Sequence, residues 1–414
     1  MNSVSSSLTA EKKTSWSGVW SLTIGVAGLI IAEFLPAGVL TPMARDLRVT
    51  EGMAGQAVSA SAILATITSL LIAYLTRNQN RKTVLLFLSA LLSLSSVVVA
   101  LASNYEFLIL GRVLLGISVG GFWAMAAAIA IRLVPKDQAP KAISMIFGGS
   151  SFASVLAAPM GSYFGNIIGW RNVFFIAAAV GFIAFIWQAI TLPSLKPQNA
   201  PKLRTTIDVI RKPQFLTALF AINFIFCGRF ASFTYLRPFL EQTTHVSVNW
   251  ISAVLLVFGL SYFVGNWFAP GMIRRNIKSA LIIPPVALAF IAVGLLLFGQ
   301  SIAATVFLVF LWGSFFGPVA PAWSTWVTRK VPEHTETGGG LYVAAIQLSA
   351  TVGALLGGVA FDYSGSNGVF ILSGISWALS ALLVYLNVTN PTSTSEKPSA
   401  KASTTQEIAA LTVE

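Results

Sequence analysis

Three ionisable side chains sit deep inside long apolar runs: Glu33, Arg112 and Arg229. A charge in hydrocarbon costs at least about 2.5–3.5 kcal/mol on insertion scales, so such residues face a cavity or a partner. Glu33 has Leu29, Ile30, Ala37 and Leu40 as neighbours at helical spacing. Burial disfavours the ionised form of a carboxylate, and a nearby guanidinium favours it. A carboxyl group moved between two such settings takes up a proton on one side and releases it on the other. The bland alternative is a static ion pair with Arg112 or Arg229 that only holds helices together. Arg112 needs an acceptor, and Glu33 is the only deep carboxylate. Arg229 either meets an anionic or carbonyl-bearing substrate or is itself the partner of Glu33.

The same residues exclude other chemistry. There are no paired deep carboxylates and no deep histidine for acid–base catalysis. His245 and His334 lie in polar segments, and Cys227 is the only cysteine. No metal site, disulfide or cofactor is expected. No phosphate-binding GxxxxGK[ST] loop is present, which disfavours an ATP-driven pump. The chain is not expected to be an enzyme.

The elements that must position these charges are long. Of 414 residues, 55% are hydrophobic and 10% charged, against about 25% charged in a soluble domain. Twelve segments reach the roughly 20 apolar residues of a spanning helix: 17–42, 53–76, 83–101, 106–131, 140–166, 171–192, 214–240, 249–273, 279–299, 302–328, 338–362 and 367–388. They are too long for barrel strands, and open sheets cannot face lipid. The fold class is therefore an all-α membrane protein of twelve transmembrane helices. The first segment is not a cleaved signal peptide, because it is long, carries Glu33 and is followed closely by another.

The charge, 26 Lys+Arg against 14 Asp+Glu, then sorts by side. An even number of spans puts both ends on one face. That face carries twenty basic residues and the opposite face four: Arg45, Arg48, Arg171 and Arg237. This bias predicts cytoplasmic termini and removes nucleic acid as a partner. The expected domains are a cytoplasmic tail 1–16, a six-helix bundle 17–192, a Pro- and Lys-rich linker 193–213, a second bundle 214–388, and a tail 389–414. The tails, rich in Ser, Thr and Lys, are expected to be disordered.

The two halves repeat at an offset of 196–197. Leu40-Thr41-Pro42 matches Leu236-Arg237-Pro238; Arg132-Leu133-Val134-Pro135 matches Arg329-Lys330-Val331-Pro332; Val173-Phe174 matches Val369-Phe370. The offset sets Glu33-Phe34 opposite Arg229-Phe230. Parallel repeats of this kind hold a substrate site between them.

Small residues mark close helix contacts. Gly116 and Gly120 follow Arg112 in a small-xxx-small step. Span 5 has Pro159 and Gly161, and span 11 has Gly357 and Gly358. Close packing is the plain reading, with gating by bendable helices an addition to it. Trp123, Trp312, Trp323, Tyr235 and Tyr342, with the amides Asn223 and Gln347, suit a flat, weakly polar molecule. For any one tryptophan a core or interfacial role competes.

These residues resemble a known family. Ala32-Glu33-Phe34-Leu35-Pro36 and Leu40-Thr41-Pro42-Met43-Ala44-Arg45-Asp46-Leu47 resemble the first helix of drug:proton antiporters and sugar-efflux relatives in the major facilitator superfamily. Arg112 with Gly116 and Gly120 resembles the fourth-helix motif, whose arginine is associated with proton transfer. Gly120-Gly121-Phe122-Trp123-Ala124-Met125, Gly169-Trp170-Arg171-Asn172-Val173-Phe174, Phe233-Thr234-Tyr235-Leu236-Arg237-Pro238 and Trp323-Ser324-Thr325-Trp326 are most similar to the purine-ribonucleoside efflux pumps. Two departures stand out. Arg77 occupies the place of the usual Asp after span 2, and Arg229 stands where the nucleoside pumps would have a neutral amide.

The resemblance implies two pseudo-symmetric six-helix bundles in a bacterial inner membrane. It implies a monomeric proton-coupled exporter of purine ribonucleosides or related aromatic molecules. Glu33 and Arg112 would carry the proton step, and Arg229, Trp123, Asn223, Tyr235, Trp312, Trp323, Tyr342 and Gln347 would line the cavity. The alternatives are a multidrug (chloramphenicol-like) or sugar exporter and, in another class, a membrane sensor or a channel. The expected partners are a small molecule, protons and lipid.

Overall fold

The computed structural model describes residues 15–135, 138–195, 203–212 and 214–388. The expected tails and much of the expected linker lie outside these residues. All regular structure described is helical. The first half holds α1 (Trp16–Leu47), α2 (Glu51–Leu75), α3 (Arg81–Ala100), α4 (Tyr105–Leu133), α5 (Ala139–Ile167) and α6 (Trp170–Thr191). A short α7 (Leu203–Ile210) stands inside the segment read as linker, and its Val209 is buried in the core of the second half.

Helix starts are written locally. Ser15, Thr50, Asn80, Asn104, Asn276 and Ser301 each accept a hydrogen bond from a first-turn amide of the helix they precede, supplying partners the helix cannot.

The second half differs from a plain count of six rods. Span 7 is α8 (Phe215–Thr234) plus α9 (Leu236–Gln242), broken at Tyr235. After α10 (Val248–Arg275) and α11 (Ile277–Phe298), span 10 is α12 (Ile302–Phe316) plus α13 (Val319–Lys330), interrupted at Gly317-Pro318, where proline lacks the amide for the ladder. Spans 11 and 12 run as one helical stretch, α14 (Thr335–Asn387), with a non-helical Gly365 at φ +62°. Thus eleven described helices are long and apolar enough to cross a membrane.

The chain nonetheless crosses twelve times. Ser349 donates to Asn223 and Ser380 to the Ala221 carbonyl, so both halves of α14 meet the same turn of α8. In a straight helix Ser349 and Ser380 would stand about 46 Å apart at 1.5 Å per residue. The chain must fold back between them, and the left-handed Gly365 is where it does so.

The repeat is visible in the backbone. Left-handed Gly169 recurs as Gly365, left-handed Arg48 as His245, and the kink at Val39 of α1 as the break at Tyr235, all at 196–197 residues. Packing repeats as well. A Cβ at Gly116 or Gly120 would overlap a backbone carbonyl of α2, at Ser61 and Ala65. Their equivalents Gly313 and Gly317 lie as tightly against Phe258, Tyr262 and Gly265 of α10.

Such contacts leave no room to relax. Gly120→Val is expected to push α4 off α2 and remove most folded protein, read as the monodisperse fraction and melting temperature in detergent. Gly148, with open space around its missing Cβ, supplies the control: Gly148→Ala should melt like the parent.

Candidate functional site

The two halves meet along α1, α2 and α5 on one side and α8, α10 and α14 on the other. Midway along α1, Phe34 stacks on Phe230 of α8 at 6.5 Å with rings 4° from parallel, and stands edge-on to Phe233 at 6.0 Å. The repeat thus places Glu33-Phe34 and Arg229-Phe230 at one level across the interface.

Arg112 departs from the expected pairing. Its side chain is 1% exposed. Nε donates to the Ala57 carbonyl at 3.0 Å, and Nη1 to the Ala32 carbonyl at 2.7 Å. Nη2 donates to the Glu33 backbone carbonyl at 3.4 Å and to Ser61 Oγ at 3.0 Å. Its acceptors are therefore helix carbonyls of α1 and α2 rather than a carboxylate. The planar fork of a guanidinium can serve two helices at once. Deep carboxylates stand out in a sequence, whereas helix carbonyls, which small residues let a guanidinium approach, carry no mark in it.

Glu33 is left free. Its side chain is only partly buried, and among the described residues the ion pairs are Arg171–Asp46 and Arg237–Glu241. The static pairs of Glu33 with Arg112 or Arg229 are not formed here.

Arg229 is 8% exposed, and its Nη1 is buried without a hydrogen-bond partner. Its charge lies 4.6 Å from the Phe233 ring and 5.2 Å from the Phe34 ring, with Phe230, Phe258 and Phe316 completing a cage within 5.9 Å. Cation–π contact partly offsets burial, but a phenyl ring has no lone pair for an N–H.

The other expected cavity residues scatter. Trp123 is half-buried beside Phe147, 5.7 Å between rings. Asn223 donates to Leu219 and accepts from Ser349, and Gln347 is buried on α14. Trp312, Trp323 and Tyr235 are at most 1% exposed, and Tyr342 is 9% exposed with its hydroxyl on the Ala320 carbonyl. Trp312 packs against Phe258 and Trp377, and Trp323 against Trp326. Trp312 and Trp323 do not line an open space in this conformation, because the second half uses them as core.

Tyr235 instead closes one end of the interface. That end is opposite the chain termini. The Tyr235 hydroxyl donates to the Gly52 carbonyl of α2 at 3.2 Å. Asp362 accepts from Thr50 Oγ1 at 3.0 Å and from the Gly52 amide at 3.1 Å, capping α2 from the other half. Gln242 donates to Glu51 at 2.6 Å. Arg237, counted among the four basic residues of the opposite face, is 5% exposed; it pairs with Glu241 at 2.8 Å and donates to the Gly38 carbonyl of α1. Its spacing of four from Glu241 was the available signal. Nothing local marks Asp362. Gly358 packs against Gly52 at this end, and Gly357 against Ala231 and Tyr235. Pro159 and Gly161 stand where α5 crosses α1: Gly38 meets the Ala158 carbonyl, and Gly161 faces the Leu35 carbonyl.

Comparison with known proteins places this geometry. The family model described as Major Facilitator Superfamily matches residues 22–349, with a second match over 286–412. The purine ribonucleoside efflux pump NepI of Escherichia coli O1:K1 / APEC is 41% identical over 379 residues, covering 92% of this chain and 96% of that protein. The transcription regulatory protein OpdE of Pseudomonas aeruginosa is also 41% identical, over 381 residues, covering 91% and 94%. A crystal structure of a D-xylose-proton symporter superposes with a TM-score of 0.76 at 16% identity, covering 91% of this chain and 98% of that one.

Proposed function

The chain belongs to the Major Facilitator Superfamily, and on that premise we propose that this membrane transporter exports purine ribonucleosides or related aromatic molecules in exchange for protons. One observation carries the reading: Glu33 and Arg229 face the same interface level, beside stacked aromatic rings, near enough for their charges to interact yet in no salt bridge. A carboxyl group without a fixed cation is free to gain and lose a proton as the halves move, and Arg112 holds the α1 backbone beside it. The purine class is supported by the name of the NepI relative. The termini would be cytoplasmic in a bacterial inner membrane, and the chain would work as a monomer of two six-helix halves joined by the 193–213 linker.

The closed end would then be the extracellular gate. To release cargo outward, the halves must break the bonds of Tyr235, Arg237, Gln242 and Asp362 to the first half. The glycines at 357 and 358 and the α1/α5 crossing at Pro159 and Gly161 would give these helices room to slide. Loss of a helix cap costs about 0.5–2 kcal/mol. Asp362→Ala should therefore shift the population toward the outward-open form by roughly 2- to 30-fold. Distance distributions between spin labels on Val49→Cys and His245→Cys check this, since native Cys227 is buried. An unchanged distribution removes Asp362 from the gate.

The function is tested by uptake of a labelled purine ribonucleoside into everted vesicles under an imposed pH gradient. Saturable, gradient-dependent accumulation is expected. Gradient-driven accumulation of chloramphenicol or a sugar instead selects the drug or sugar exporter, and unsaturable flux selects a channel. The name of the OpdE relative favours a second reading, a membrane sensor; absence of any flux, with changed transcription on deletion, would select it.

A further inference from the structure

The two buried arginines are in opposite states. Arg112 spends its donors on helix backbone and a hydroxyl, so it offers little to a ligand. Arg229 is 8% exposed, has an orphaned Nη1, and sits among five phenyl rings contributed by both halves. A buried donor without an acceptor is a standing cost, and a ligand that brings an oxygen removes it.

The cage itself has a second meaning. Phenyl faces around one point are how proteins recruit cationic ligands. Here the protein's own guanidinium already occupies that point. A cationic ligand would find the rings taken and a like charge in the way. A planar ligand with an oxygen at its edge could stack beside Phe34 and Phe230 and accept from Arg229. An oxyanion gains further, because charge-assisted hydrogen bonds are about twice as strong as neutral ones. Glu33, close by and unpaired, adds at most one negative charge, and none when it carries a proton.

We propose that Arg229 is a charge filter: the site admits planar aromatic molecules presenting a carboxylate or carbonyl oxygen, anions ahead of neutral compounds, and rejects aromatic cations. This rests on the exporter reading for its cargo and adds the sign and edge chemistry of that cargo. Arg229 determines specificity by holding the aromatic cage closed to other cations.

The test uses three matched probes on the purified full chain in nanodiscs: 2-naphthoate, 2-naphthamide and (2-naphthylmethyl)trimethylammonium. Binding is read by calorimetry and thermal stabilisation. The parent protein should bind naphthoate about 10-fold or more tighter than the ammonium, with the amide between. Arg229→Lys should keep that order more weakly. Arg229→Gln should reverse it, because the emptied cage now accepts the quaternary ammonium. A reversal cannot come from misfolding, which would lower all three affinities together.

Equal binding of cation and anion by the parent, an unchanged order in Arg229→Gln, or no binding of naphthoate overturns the proposal. Purine ribonucleoside uptake in vesicles is measured in parallel. Loss of uptake with the charge order intact sinks the exporter reading alone; uptake with no charge order sinks the filter alone.

Discussion

Glu33→Gln is expected to yield a folded protein whose pH-gradient-driven accumulation falls to the level of empty vesicles. The substitution keeps size and shape, and Glu33 makes no ion pair whose loss would unfold the protein. What it removes is the carboxyl group proposed to carry the proton. Exchange of labelled for unlabelled cargo at equal pH requires no net proton movement, so it should persist in the variant. Glu33→Asp retains a proton carrier and should retain part of the coupling. The measurement is accumulation against counterflow in the same vesicles. Wild-type accumulation by Glu33→Gln would show that another group carries the proton, whereas loss of counterflow as well would mean that Glu33 serves binding instead.

The second large effect is on stability. Arg112 ties α4 to α1 and α2 through three backbone carbonyls and a hydroxyl. Hydrogen bonds made by a charged group contribute about 1.5–3 kcal/mol each. Arg112→Leu should therefore lower the melting temperature by on the order of 10 °C and reduce the yield of folded protein. Arg112→Lys should recover only part of this, since an ammonium is a point donor that cannot fork between two helices. Thermal melts of the three proteins in one detergent check the order. The contrast with Glu33→Gln, expected to melt like the parent, separates a structural cation from a working carboxylate. Equal destabilisation by both would mean that the two side chains act as a pair after all.

The architecture was largely legible. Apolar length marked the spans, and the match of residues 40–42 to 236–238 foretold a backbone that repeats its kink at Val39 and Tyr235. Spans 7, 10 and 11–12 carry breaks or joins that apolar length alone does not show. Gly317-Pro318 was a readable signal for one of them, and the left-handed Gly365 became meaningful only through the equivalent Gly169.

The site was legible in its residue types and much less in its contacts. Glu33, Arg112 and Arg229 stood out because a charge in a long apolar run must be answered by something. Which group answers was not readable. Arg112 is answered by carbonyls, Arg229 by phenyl rings, and Glu33 by the nearby charges of both arginines without a salt bridge. Tyr235 and Trp312, read as cavity residues by type, close an end and fill a core. Asp362, which caps a helix from the opposite half, has no local signature because its partner lies 310 positions away.

By itself the sequence determined that the chain crosses a membrane many times, that its two halves repeat, and which three buried charges need an explanation. Each follows from length, offset or composition along one dimension. Only the tertiary structure decided how each helix is turned about its own axis. In a membrane both surroundings of a helix, lipid and neighbouring protein, are apolar, so no hydrophobic stripe announces the buried face. That rotation, set by close contacts such as Gly120 on Ala65 and Gly317 on Gly265, determines that Arg112 is bound, Arg229 is caged and Glu33 stands between their charges without a salt bridge.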